Sequence, residues 1–209
     1  MPKEVLWKTL FFVIAFSNVQ LTAIASFQDE VGADEYGVYS ALLRQSYISA
    51  GDMQLVIENY TQDTSVYYGD DIAEHFRYLR GRLASLSHDT IDDFRRKNNG
   101  SQLLQRSFHL RIKYTLISKD RFEGFAGPDE RMERSRVGWE RFYREYPGVS
   151  GVLLLSRVGF NRNKSQALVF VMHIRGNPSG RWWGDGSYLL LSTKNGLWRV
   201  RRRTVILTD

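Results

Sequence analysis

Residues 151–207 read GVLLLSRVGFNRNKSQALVFVMHIRGNPSGRWWGDGSYLLLSTKNGLWRVRRRTVIL. Four apolar runs stand out: Gly151–Gly159, Gln166–Arg175, Ser187–Thr193 and Trp198–Leu207. Turn-forming residues separate them. Asn161–Lys164 is a polar turn, and Asn195-Gly196 is a short-hairpin dipeptide, since both residues accept the positive φ of a type I′ turn. Between the second and third runs, Gly176–Gly186 (GNPSGRWWGDG) reads as a glycine- and tryptophan-rich loop. The pattern predicts a four-strand antiparallel meander at the C-terminus.

Upstream the apolar period changes. Tyr36, Tyr39, Leu43 and Tyr47 fall at spacings of three and four, predicting a helix over 34–49. MQLVIEN (53–59) reads as a short buried strand and 62–69 as loop. Asp71 and Glu74 have capping-box spacing before a stripe of Ile72, Phe76, Leu79 and Leu83. A third helix is expected over 89–97, with Ser87 or His88 near its start and Asn98-Asn99-Gly100 as its stop. Residues 110–118 (LRIKYTLIS) read as a strand, 121–127 as a loop, and a fourth helix is expected from Pro128 to the Pro147-Gly148 stop. Helices in the first two thirds and strands in the last third give an α+β class. Its N-terminal helices are expected on one face of a mainly antiparallel sheet, as in cystatin-like or NTF2-like folds.

Residues 1–25 have the pattern of a signal peptide: Lys3 and Lys8, the apolar run Leu10–Phe16, then Ala23-Ile24-Ala25. That run is far shorter than the ~20 residues of a membrane span. The expectation is one α+β domain over 26–209, exported to the periplasm or beyond, with no transmembrane span after cleavage. Ser26 stands where a lipid anchor would need cysteine, and the chain has no cysteine at all. Thiol catalysis and cysteine-based metal sites are thereby excluded. A net charge of +6 favours anionic partners, such as an anionic polymer or another envelope component. No nucleic-acid motif accompanies the charge.

Three groups of residues could carry a site. Arg181, Trp182 and Trp183 in the Gly/Trp loop offer aromatic faces for a sugar ring, a base or a cation, or else cap the core. Arg199, Arg201 and Arg203 alternate along the last run, so a period of two puts them on one face as a stripe for phosphate or carboxylate. A solvated face or a charge-protected edge explains the same pattern. His173 comes late in the second run, within reach of Asp185 and Ser187 across the hairpin, and Glu58 closes the apolar run of MQLVIEN. These are the candidate catalytic residues. The four histidines, His75, His88, His109 and His173, show no metal-ligand spacing, and no cofactor motif is present.

The segments FYREYPGVSGVLLLSRVGFNRNKSQALVFV (142–171) and GSYLLLSTKNGLWRV (186–200), with LVIEN and YTLIS upstream, resemble a group of uncharacterised secreted bacterial proteins. These share an SRVGFN turn and a C-terminal meander with a Gly-rich loop. The resemblance implies export and a bacterial source and supplies no activity and no catalytic residues. Arg181-Trp182-Trp183 makes the loop bulkier than the group's pattern. Two functions stay open: a non-enzymatic binding or accessory domain of the cell envelope, or a small hydrolase-like enzyme using His173, Asp185 and Glu58.

Overall fold

The computed structural model describes residues 30–49, 51–67, 71–126, 132–176 and 182–208. The expected signal peptide and the start of the Pro128 helix lie outside these residues. Helices α1 (Ala33–Ser46), α2 (Ile72–Arg82), α3 (His88–Lys97), α4 (Lys119–Ala126) and α5 (Met132–Glu145) surround one sheet. Its strands are β1 (Gln54–Glu58), β2 (Lys113–Ile117), β3 (Val152–Leu155), β4 (Gly159–Phe160), β5 (Gln166–Gly176), β6 (Trp182–Lys194) and β7 (Leu197–Thr208). The order is β2-β1-β3-β5-β6-β7, with β4 also pairing β5. β3, β5, β6 and β7 form the expected antiparallel meander, turning from β6 to β7 through Asn195 (φ 53°) and Gly196 (φ 73°). β1 pairs in parallel with both β2 and β3, so the sheet is mixed.

Helices cover both faces, which corrects the one-face expectation. Along β5, Ala167, Val169 and Val171 pack with α1, whereas Leu168 and Phe170 pack with α2 and α3. Nearer the other edge, Val56, Val152, Leu154 and Ile174 pack with Trp139 and Phe142 of α5 and Phe122 and Phe125 of α4. The unbroken apolar run of β5 is the physical reason. A strand that alternated polar and apolar residues could face water on one side; this one needs cover on both.

Local chemistry sets the ends of the helices. Asp71 accepts a hydrogen bond from Glu74 N (2.8 Å) at the start of α2, and Ser87 accepts from Thr90 N (3.3 Å) at the start of α3. Gln166, opening β5, accepts from both Ser87 N and Thr90 Oγ1, which ties α3 to the sheet. α4 replaces the expected loop over 121–127. Ser118 accepts from Arg121 N (3.2 Å) at its start, and Phe122 and Phe125 are buried against α5. Gly138 permits that crossing, because a Cβ there would collide with the Phe125 carbonyl.

The SRVGFN segment (156–161) is the hub. Ser156 Oγ accepts from Phe170 N, and the Ser156 carbonyl accepts from Tyr39 Oη (both 2.8 Å). Arg157 enters a buried ion pair with Glu35: its Nη2 lies 2.6 Å from Oε1, and both side chains are only 4% exposed. Glu35 also accepts from Val158 N (2.9 Å), and Asn98 takes both backbone groups of Arg157. Gly159 lies against the Phe94 backbone, where a Cβ would clash. Phe160 N donates to Asp93, and the Asn161 side chain accepts from Ser165 N and Gln166 N.

Removing one member of a buried pair strands the other charge, so Arg157→Ala is expected to cost about 3–5 kcal/mol. Urea unfolding at neutral pH measures it, and the Glu35→Ala/Arg157→Ala double variant should lose less than the sum of the single variants.

Candidate functional site

β5 and β6 bring His173 and Asp185 directly opposite each other, as expected from the hairpin. Both point to the α1 face, alongside Arg175, Trp183 and Ser187. The ring of Tyr47, at the C-terminal end of α1, stands edge-on to His173 with centroids 6.0 Å apart. Gly151, with φ of 145°, lets the chain pass close to β5 here: a Cβ would sit 2.3 Å from the Ile174 carbonyl oxygen and 3.0 Å from His173 Nε2. Ser150 Oγ lies 3.4 Å from the same nitrogen, at the outer limit of a hydrogen bond.

Asp185 does not serve His173. Its carboxylate is shared by two guanidiniums, Arg175 on Oδ1 and Arg203 on Oδ2, the latter at 2.6 Å. Arg203 also donates from Nε to Ser187 Oγ (3.0 Å) and lies over the Tyr47 ring, 5.4 Å from its centroid. Arg175 lies over the Trp183 ring at 5.5 Å. The cation on that aromatic face is therefore the chain's own. Asp185 is 16% exposed, while Arg175 and Arg203 are 33% and 37% exposed, so the carboxylate is sunk and the guanidiniums reach outward. Among the described residues, two buried donors here, Tyr47 Oη and Arg175 Nε, have no hydrogen-bond partner. The arrangement suits an anion held at two guanidiniums. Sequence reasoning missed Arg175 and Tyr47. Arg175 was legible, since two residues beyond His173 on a strand means the same face. Tyr47 depends on where α1 crosses the sheet, which no local pattern encodes.

The remaining candidates are placed differently. β6 begins at Trp182, which pairs with Gly176, and Arg175 pairs with Trp183. Much of the expected Gly/Trp loop is thus hairpin strand, and the connection shrinks to 177–181. Gly176 is confined by Trp139, whose ring a Cβ would strike, and its carbonyl accepts from Tyr143 Oη (3.0 Å). Trp183 is half-buried. Arg181 and the Trp182 side chain lie outside what is described.

The arginine stripe does not form. A register shift at Leu190/Leu191 moves the pairing from Arg202 to Val200 and leaves Arg201 as the extra residue. Trp198 and Val200 pack on the α1 face, and beyond the bulge Arg203, opposite Leu189, takes that face too. Arg199 and Arg201 go the other way. Both are exposed, and Arg201 donates to Ser192 (2.6 Å).

Glu58 faces away from His173. It pairs with Ile117 on the α4/α5 side of the sheet, whereas His173, opposite Leu153, is on the α1 side. The catalytic grouping of His173, Asp185 and Glu58 is not assembled, because the pleat sends odd and even positions to opposite faces. Among the described residues, no three His, Asp or Glu side chains gather as a metal site. No helix among them is long and apolar enough to cross a membrane. Comparison of the chain with known protein families, curated proteins and solved structures found no match.

Two groups carry opposite pH signatures. Burial pushes the Glu58 carboxyl up from 4.5 to about 7, against the pull of Lys119 and a hydrogen bond with Gln62. Between those values the folded chain holds a proton that the unfolded chain releases, so this contribution to stability falls as pH rises. Glu58→Gln should therefore gain stability relative to the parent on going from pH 5 to pH 8, read by urea unfolding at both. Burial, and then Arg175, push His173 down from 6.5 to about 4. The folded chain there binds fewer protons than the unfolded one, and stability is lost as pH falls through that window. In an NMR titration of the histidine rings, His173 should stay neutral until the pH approaches 4.

Proposed function

We propose that this chain is an exported bacterial binding domain of the cell envelope, and that it holds an acidic polymer at the α1 face of β5, β6 and β7 without transforming it. The observation that carries the reading is the Arg175–Asp185–Arg203 chain. One sunken carboxylate fixes two half-exposed guanidiniums side by side, so an incoming carboxylate or phosphate meets donors already in place. Trp183, half-buried with Arg175 over one face of its ring, adds apolar surface at the rim. Export is supported by the N-terminal charge and apolar pattern, and the overall charge of +6 favours an anionic partner.

A hexauronate oligosaccharide titrated into the full chain tests the reading, with an uncharged hexaglucan as control. Binding of the hexauronate alone is expected, weakening as salt is raised. Arg175→Ala and Arg203→Ala should each weaken it by about tenfold, the loss of one charge-assisted contact. Equal binding of both sugars, or no loss in either variant, would overturn it.

A further inference from the structure

β2 is an edge strand: β1 is its only strand neighbour among the described residues. Ile117 O accepts from Asn59 N, so residues 113, 115 and 117 direct their backbone groups toward β1. The N–H and C=O of Tyr114 and Leu116 then point outward along an unpaired edge. Such an edge is a template for another strand.

The approach to this edge is strongly one-signed. Two clefts of about 630 and 620 Å³ adjoin at His109, along the segment leading into β2. Their apolar floor includes Ile48, Leu110, Ile112 and Phe108, and their rims carry Arg44, Arg106 and Arg111. Among the described residues, no acidic side chain lines either cleft. Arg44 is engaged, donating to the His109 carbonyl (2.5 Å). Arg106 and Arg111, and Lys113 on β2, are exposed and make no ion pair or side-chain hydrogen bond among the described residues. The segment thus has an apolar trough, uncommitted cations and an open row of backbone groups.

We propose that the 105–116 face docks an extended acidic segment of a partner polypeptide. Its aliphatic side chains enter the two clefts, its carboxylates meet Arg106, Arg111 and Lys113, and its backbone pairs with the outer edge of β2. The charge decides the occupant. A second copy pairing edge to edge would bring the Arg111 and Lys113 side chains against their own kind, which is repulsive. An acidic strand is complementary. This surface is separate from the Arg175–Arg203 site and does not depend on its assignment.

Dye-labelled (Glu-Val)4 titrated into the full chain, followed by anisotropy, tests the proposal. Saturable binding is expected, at least tenfold tighter than that of (Lys-Val)4. The R106E/R111E/K113E variant should lose at least tenfold, with its unfolding midpoint kept as a check on folding. Arg203→Ala should bind the peptide as the parent does. A peptide with proline at its second valine should also lose at least tenfold, because it cannot complete a strand ladder. Absence of binding would overturn the proposal, as would parental affinity in the triple variant. Full affinity of the proline peptide would overturn it in favour of a non-specific anion surface. Concentration-dependent dimerisation that excludes the peptide would overturn it in favour of a second copy.

Discussion

The buried contact between Glu35 and Arg157 joins parts of the chain 122 residues apart. Two charges this deep attract strongly but lose their water, and a well-packed apolar pair of the same volume could do as well energetically. What the charged pair adds is geometry. A guanidinium offers donors in a fixed plane, so Arg157 sets where α1 crosses the sheet. Because Glu35 also takes Val158 N and Asn98 takes the Arg157 backbone, the same spot fixes α3 and the β3–β4 corner. The position of α1 in turn places Tyr47 over His173 and under Arg203. The candidate site is therefore downstream of this pair although it shares no residue with it.

Much of this architecture was legible in the sequence. The meander, its Asn-Gly turn, the first three helices and the two upstream strands follow from periodicity and capping residues. The failures have identifiable causes. α4 was hidden because Gly124 and Gly127 look like loop residues, while its signal, Ser118 followed by Phe122 and Phe125, is only one turn long. The covering of both faces was written in β5, where QALVFV carries apolar residues at odd and even positions alike. Reading that run as continuous rather than alternating implies two layers of helix. The parallel pairing of β1 was not legible, since strand direction depends on where the crossover helices pack.

The candidate site shows the same division. His173 facing Asp185 follows from hairpin register alone. That Asp185 is taken up by arginines follows from Arg175 being on the same face, and from Arg203 being delivered there by a bulge. Strict alternation groups Arg203 with Arg199 and Arg201; one extra residue separates them. Glu58 was legible as the carboxyl that closes a short apolar strand, but its face is set by parallel pairing with β2.

The bulge in β7 also bears on how this protein can change over generations. Before it, Trp198 and Val200 face α1; after it, Arg203 does. Both requirements hold only because, between Val200 and Arg203, β7 carries one residue more than the stretch of β6 it pairs with. The Arg201 side chain is exposed and, among the described residues, bonded only to Ser192, so its identity is tolerant of exchange while its presence is not. Deleting it would force a choice between a strand that buries its aromatic start and one that delivers its arginine. Position 201 is thus a place where a substitution is tolerated and a change of length is not, so the constraint lies in the strand's spacing rather than in the letter there.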